Sequence, residues 1–166
     1  MIAADLRWLS EGRVFQVGIV VPDLRAAVRR YSDWLGLGPW LGFRFDHETV
    51  RDFTYRGAPA SYSIDLAMTV DAQPQVELLE IHGEPSPYHG GGLHHLATRV
   101  PDLAAVTVEL AAAGCEPICS GHGFGADGDG AFAYFDTEPV LGVLLECIEA
   151  PRARREPDFV FAATDA

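Results

Sequence analysis

Glu77 and Glu146 each lie in a run that should carry them into the interior, Val76-Glu77-Leu78-Leu79 and Leu144-Leu145-Glu146-Cys147. A carboxylate removed from water needs a cation or strong donors to meet it. Two further polar side chains share that predicament. In the β-rich run 14–21 the faces alternate, so Phe15, Val17, Ile19 and Val21 form a bulky face while Gln16, Gly18 and Val20 form the other. The bulky face packs under helices, which leaves Gln16 on the concave side. An offset of about 79 residues, set by a repeat described below, carries Gln16 onto His95, whose face holds Ala97 and Arg99. Gln16, Glu77, His95 and Glu146 are therefore four inward polar groups that can converge on one divalent ion. One imidazole and three oxygen donors suit Zn, Ni, Co, Mn or Mg. Such an ion makes a Lewis acid for a carbonyl oxygen, with Glu146 as the base that moves a proton at the adjacent carbon. Without a metal, Gln16 hydrogen-bonds a neighbouring strand and Glu77 pairs with Arg99. Arg99 also has the fork geometry to hold a substrate carboxylate. His47, Tyr62 and His122 are candidates for the mouth of the same cleft, and His94 falls on the opposite face of its strand.

The elements that position these residues are read from a repeat. Val-Pro-Asp-Leu occurs at 21–24 and again at 100–103, each time after an apolar strand-like run and before an alanine-rich amphipathic stretch, as in two copies of one supersecondary unit. In the first copy, Asp23 caps a helix with Leu24, Val28, Tyr31 and Leu35 on one face, and Gly36 ends it. Strands follow at 41–47, 61–69 and 75–81. In the second, a strand to Val100 and a helix from Asp102 precede strands at 115–118, 131–135 and 142–148. The expected fold is α+β, two β-α-β-β-β modules forming an eight-stranded open cup. Module one spans 14–81, a Pro- and Gly-rich linker 82–92 and module two 93–149. Residues 1–13 form an N-terminal extension and 150–166 a polar C-terminal tail, with Phe159, Val160 and Phe161 embedded, that docks on a partner subunit or hangs loose. The glycine-rich loop 121–130 feeds a strand rather than a helix, so it reads as a mobile cover and not as a phosphate cradle.

At 166 residues and 48% hydrophobic content, the chain can bury one sizeable core shared by two half-modules. Its net charge of −12 argues against nucleic acid and anionic membranes as partners. With no long apolar run and no export signal, a cytoplasmic protein is expected. Cys115, Cys119 and Cys147 have no CxxC spacing and read as reduced, buried thiols.

The doubled plan, the openings Phe-Gln-Val-Gly-Ile-Val-Val-Pro-Asp-Leu and Leu-His-His-Leu-Ala-Thr-Arg-Val-Pro-Asp-Leu, and the ending Gly-Val-Leu-Leu-Glu-Cys resemble the vicinal oxygen chelate superfamily, the glyoxalase, bleomycin resistance and dioxygenase fold. The resemblance covers about 14–149 and implies one metal ligand from the first and last strands of each module: Gln16, Glu77, His95 and Glu146. A Gln, Glu, His, Glu set is also found in some glyoxalase I enzymes. Where those enzymes carry glutathione-holding arginines, this chain has Val20 and Gly91. The last hairpin and the Gly-Leu-His-His approach are closer to methylmalonyl-CoA epimerase, although the loop 56–61 offers no counterpart of that family's catalytic Glu. The single convergent His argues against extradiol dioxygenases.

The resemblance thus implies a metal-dependent isomerase or lyase acting next to the carbonyl of a small acyl-CoA thioester or 2-oxoaldehyde-type substrate, in a homodimer. The competing expectation is a metal-free sequestering protein of the antibiotic-resistance type, its cup lined by Trp34, Trp40, Phe43, Phe45, Tyr55 and Tyr62.

Overall fold

Both helix starts follow from their caps. In the computed structural model, which describes residues 13–88 and 90–161, the Asp23 carboxylate accepts from the Ala26 amide at 2.9 Å and opens α1 (Leu24–Leu35). Asp102 accepts from Ala105 at 2.9 Å and opens α2 (Leu103–Ala112). Gly36 closes α1 with φ 65°, a left-handed conformation that a Cβ would disfavour. A short helix, α3 (Glu138–Leu141), precedes the last long strand.

The strands are β1 (Gln16–Val20), β2 (Trp40–Phe45), β3 (Arg51–Tyr55), β4 (Ala58–Pro59), β5 (Ser63–Thr69), β6 (Gln75–His82), β7 (Gly92–Arg99), β8 (Pro117–His122), β9 (Ala131–Phe135), β10 (Leu144–Glu149) and β11 (Phe159–Val160). They form one curled sheet in the order β11-β2-β5-β6-β1-β7-β10-β9-β8-β3-β4. Its middle eight strands are the expected doubled cup, and the whole cup is built within a single chain. Each module's first and last strands pair in parallel, β1 with β6 and β7 with β10, and the modules join through the antiparallel pair β1 with β7.

Three strands were not foreseen. The hairpin β3–β4 leaves its own module and pairs with β8, the outer strand of the other. The tail does not hang loose: β11 pairs with β2, Phe159 lies against Gly42, and Phe161 is buried beside Leu24 and Val28 under α1. The sequence also begins β8 two residues early. The loop after β8 is pinned rather than free, through Arg51 to the Gly128 carbonyl and Arg152 to Asp129 at 3.0 Å. Of the N-terminal extension, 1–12 lie outside the described residues, as do 162–166 of the tail.

Apolar side chains divide by face. Ala27, Val28 and Leu78 pack between α1 and the sheet, and Val106, Leu110 and Phe135 pack under α2. The concave face is filled by Phe43, Phe53, Tyr62, Tyr88, Phe132 and Tyr134. All three cysteines are buried and free. Among the described residues no helix is long and apolar enough to cross a membrane.

Candidate metal centre

Four adjacent strands, β6, β1, β7 and β10, each deliver one polar side chain to the concave face. Register explains why they meet. Gly18 is the partner of both Glu77 and His95, while Ala97 is the partner of both Gln16 and Glu146. Two small residues thus leave the space that four larger ones occupy. A Cβ on Gly18 would sit 1.9 Å from His95 Cε1, so the imidazole lies over this strand only because residue 18 lacks a side chain.

All four are withdrawn from solvent, with exposures of 3% for Gln16, 5% for Glu77, 0% for His95 and 5% for Glu146. His95 Nε2 lies 3.3 Å from Glu77 Oε2 and 3.3 Å from Glu146 Oε2, longer than a charge-assisted hydrogen bond. Nε2 makes no hydrogen bond of acceptable geometry, and neither do Glu146 Oε2 and Gln16 Oε1. The Gln16 amide nitrogen donates to Gln75 Oε1 at 2.9 Å and to Glu77 Oε1 at 3.4 Å, which leaves its oxygen as the spare group. Ligand atoms of Glu77, His95 and Glu146 all lie within 4.8 Å of one another.

Burial would lower the His95 pKa, but Glu146 and Glu77 outweigh it and raise it. Burial pushes Glu146 up to about 7, with His95 opposing and the neighbouring charge of Glu77 adding to the rise, while a hydrogen bond from Tyr134 holds it down. Two buried carboxylates and an imidazole whose ligand atoms lie this close, with His95 Nε2 and Glu146 Oε2 orphaned and Gln16 Oε1 also without a partner, fit a divalent cation, which would neutralise the pair and satisfy the orphans.

The remaining sequence candidates are scattered. Arg99 does not pair with Glu77; its guanidinium lies 4.4 Å from the centre of the Phe15 ring, at the rim of a cavity of about 220 Å³ that has Gln16 in its wall. Tyr62 is buried deep in the cup, bonded to Cys119 Sγ at 2.9 Å. His122 is held by Asp52 at 2.6 Å on the exposed side of β8, away from the cluster. His47 is exposed. His94 breaks the alternation: a bulge between Gly18 and Ile19 shifts the β1–β7 register, turning it inward to stack on Tyr88 at 4.4 Å and meet His95 Nδ1 at 2.9 Å. Strand periodicity carries no signal for such a bulge. Of the proposed aromatic lining, Trp34 is 83% exposed and Trp40 is packed under α1.

Residues 15–135 match the family described as the Glyoxalase/Bleomycin resistance protein/Dioxygenase superfamily. The chain belongs to this superfamily. An ethylmalonyl-CoA/methylmalonyl-CoA epimerase of Cereibacter sphaeroides is 30% identical to it over 121 residues, 67% of this chain and 78% of the relative. The crystal structure of methylmalonyl-CoA epimerase from Mycobacterium tuberculosis is 25% identical, with a TM-score of 0.58 over 82% of this chain and 87% of that one. A methylmalonyl-CoA epimerase in complex with methylmalonyl-CoA and NH4+ shares the fold, with 18% identity and a TM-score of 0.56 over 88% of this chain and 99% of that one.

Proposed function

We propose that this superfamily member is a metal-dependent isomerase that epimerises an acyl-CoA thioester at the carbon next to its carbonyl, with Gln16, Glu77, His95 and Glu146 holding the ion. The observation that carries the reading is the buried cluster itself, two carboxylates and an imidazole whose ligand atoms lie within 4.8 Å of one another, with His95 Nε2 and Glu146 Oε2 unpartnered. Similarity to methylmalonyl-CoA epimerases supports the reaction class.

A divalent ion held there supplies Lewis-acid polarisation of a carbonyl oxygen, which acidifies the neighbouring C–H. Glu146 is the proton carrier in this reading. Its Oε2 has no hydrogen-bond partner, which leaves a lone pair free to take the proton when the carboxylate swings off the ion. Tyr134 steadies it by hydrogen bonding, and the aromatic wall of Phe132, Tyr88 and Tyr134 excludes water. An antibiotic-sequestering cup has no use for buried carboxylates with vacant lone pairs, which favours the enzyme.

The test is α-proton exchange of methylmalonyl-CoA in D2O, followed by NMR, on protein purified without chelators. Wild type should carry one divalent ion per chain and exchange the proton, and Glu146→Gln should abolish exchange. The reading fails if chelator-free protein carries no stoichiometric ion and Glu146→Gln leaves turnover intact.

A further inference from the structure

The cavity whose wall includes Gln16 is chemically unlike the rest of the surface. Its sides are Phe43, Phe45 and Phe124, and no carboxylate lines it, although the chain has 24 acidic residues against 12 Lys and Arg. Three arginines do line it: Arg99 at the end of β7, and Arg154 and Arg155 in the segment leading to β11. Arg155 is already committed, to Asp158 at 2.8 Å and to the Arg44 carbonyl at 2.8 Å. Arg154 is fixed through its backbone by a bridge to Gly125, and stacking on Phe15 orients Arg99. Among the described residues neither Arg99 nor Arg154 forms an ion pair, so two guanidinium forks stand at an aromatic opening in an acidic protein.

We propose that Arg99 and Arg154 are an anion clamp for the phosphates of a coenzyme A handle, and that the segment after Ala150, outside the family match of 15–135, is a substrate-binding element. This rests on the thioester reading above and names how that site selects its substrate. Size and distance both point to a remote anion. A cavity of about 220 Å³ accepts an acyl head but not a nucleotide, so the handle must lie across the opening. Arg99 is four residues along β7 from His95, a backbone separation of roughly 13 Å at the usual strand rise, and its guanidinium is held over Phe15 at the rim of the cavity. Bidentate Arg–phosphate contacts then add binding without touching the chemistry.

The experiment compares methylmalonyl-CoA with methylmalonyl-pantetheine, which keeps the acyl head and lacks the phosphates, in wild type and in Arg99→Gln, Arg154→Gln and the double variant, each checked by thermal melting. Wild type should prefer the CoA ester. The double variant should raise KM for that ester at least tenfold with kcat little changed, and leave kcat/KM for the pantetheine ester as in wild type. Equal losses on both esters, or none, overturn the clamp. If wild type exchanges neither ester, the epimerase reading fails separately and calorimetric titration with free coenzyme A decides. Binding that weakens at least tenfold in the double variant sustains the clamp, and absent or unchanged binding ends it.

Discussion

Gly18 is where the site is most vulnerable to a single atom. A methyl group there would overlap the His95 ring at 1.9 Å, and overpacking of this kind typically costs about 1–3 kcal/mol. Gly18→Ala should therefore lower the melting temperature and weaken metal binding together, as read by calorimetry and metal titration. His95→Ala removes the imidazole without crowding. It should abolish stoichiometric metal retention, beyond the roughly 10–100-fold loss expected when only a ligand's hydrogen-bonded support is removed. Cys119 offers a control that is not one of the four candidate ligands. Burial pushes its thiol up to about 12, with a hydrogen bond from Tyr62 working against the rise and the charge of Glu146 adding to it, so it stays protonated below that pH. A thiol reagent at pH 8 should label it only at the rate of unfolding. The inward placement of Gln16 and His95 could be read from strand alternation and the repeat offset, and that of Glu77 and Glu146 from a carboxylate set in an apolar strand run. That of His94 could not, because a one-residue bulge reverses its face.

At the scale of elements, the caps at Asp23 and Asp102 and the stop at Gly36 could be read because each has a local cause, a side-chain acceptor or a left-handed φ. Asp23→Ala should cost about 1 kcal/mol, measurable by denaturant unfolding. The hairpin β3–β4 has no such local cause. Arg51, Asp52, Thr54 and Tyr55 lack an alternating apolar pattern, and their partners Cys119, Ser120 and His122 lie far along the chain. The tail is ambiguous in sequence for the same reason, since Phe159 docks on the bare face of Gly42, far away along the chain. A Cβ there would come within 2.0 Å of the Phe159 ring. Gly42→Val should detach β11, exposing the tail to limited proteolysis, and, if Arg154 belongs to the clamp, it should also raise KM for a CoA ester.

For the whole molecule, the centre of the sheet is where the halves meet, and a bound ion would draw ligands from both. Saturating metal at about 100 times its dissociation constant should therefore stabilise the fold by about 2.7 kcal/mol, in a single cooperative transition by thermal melting. The crossing of β3–β4 onto β8 has a different consequence. The lending runs one way: module one supplies the strand that shields β8, and nothing in module two returns the loan. A protein engineered from two copies of the second half would therefore keep its ligand-bearing strands yet present a bare strand margin, and such margins recruit neighbouring chains into end-to-end aggregates.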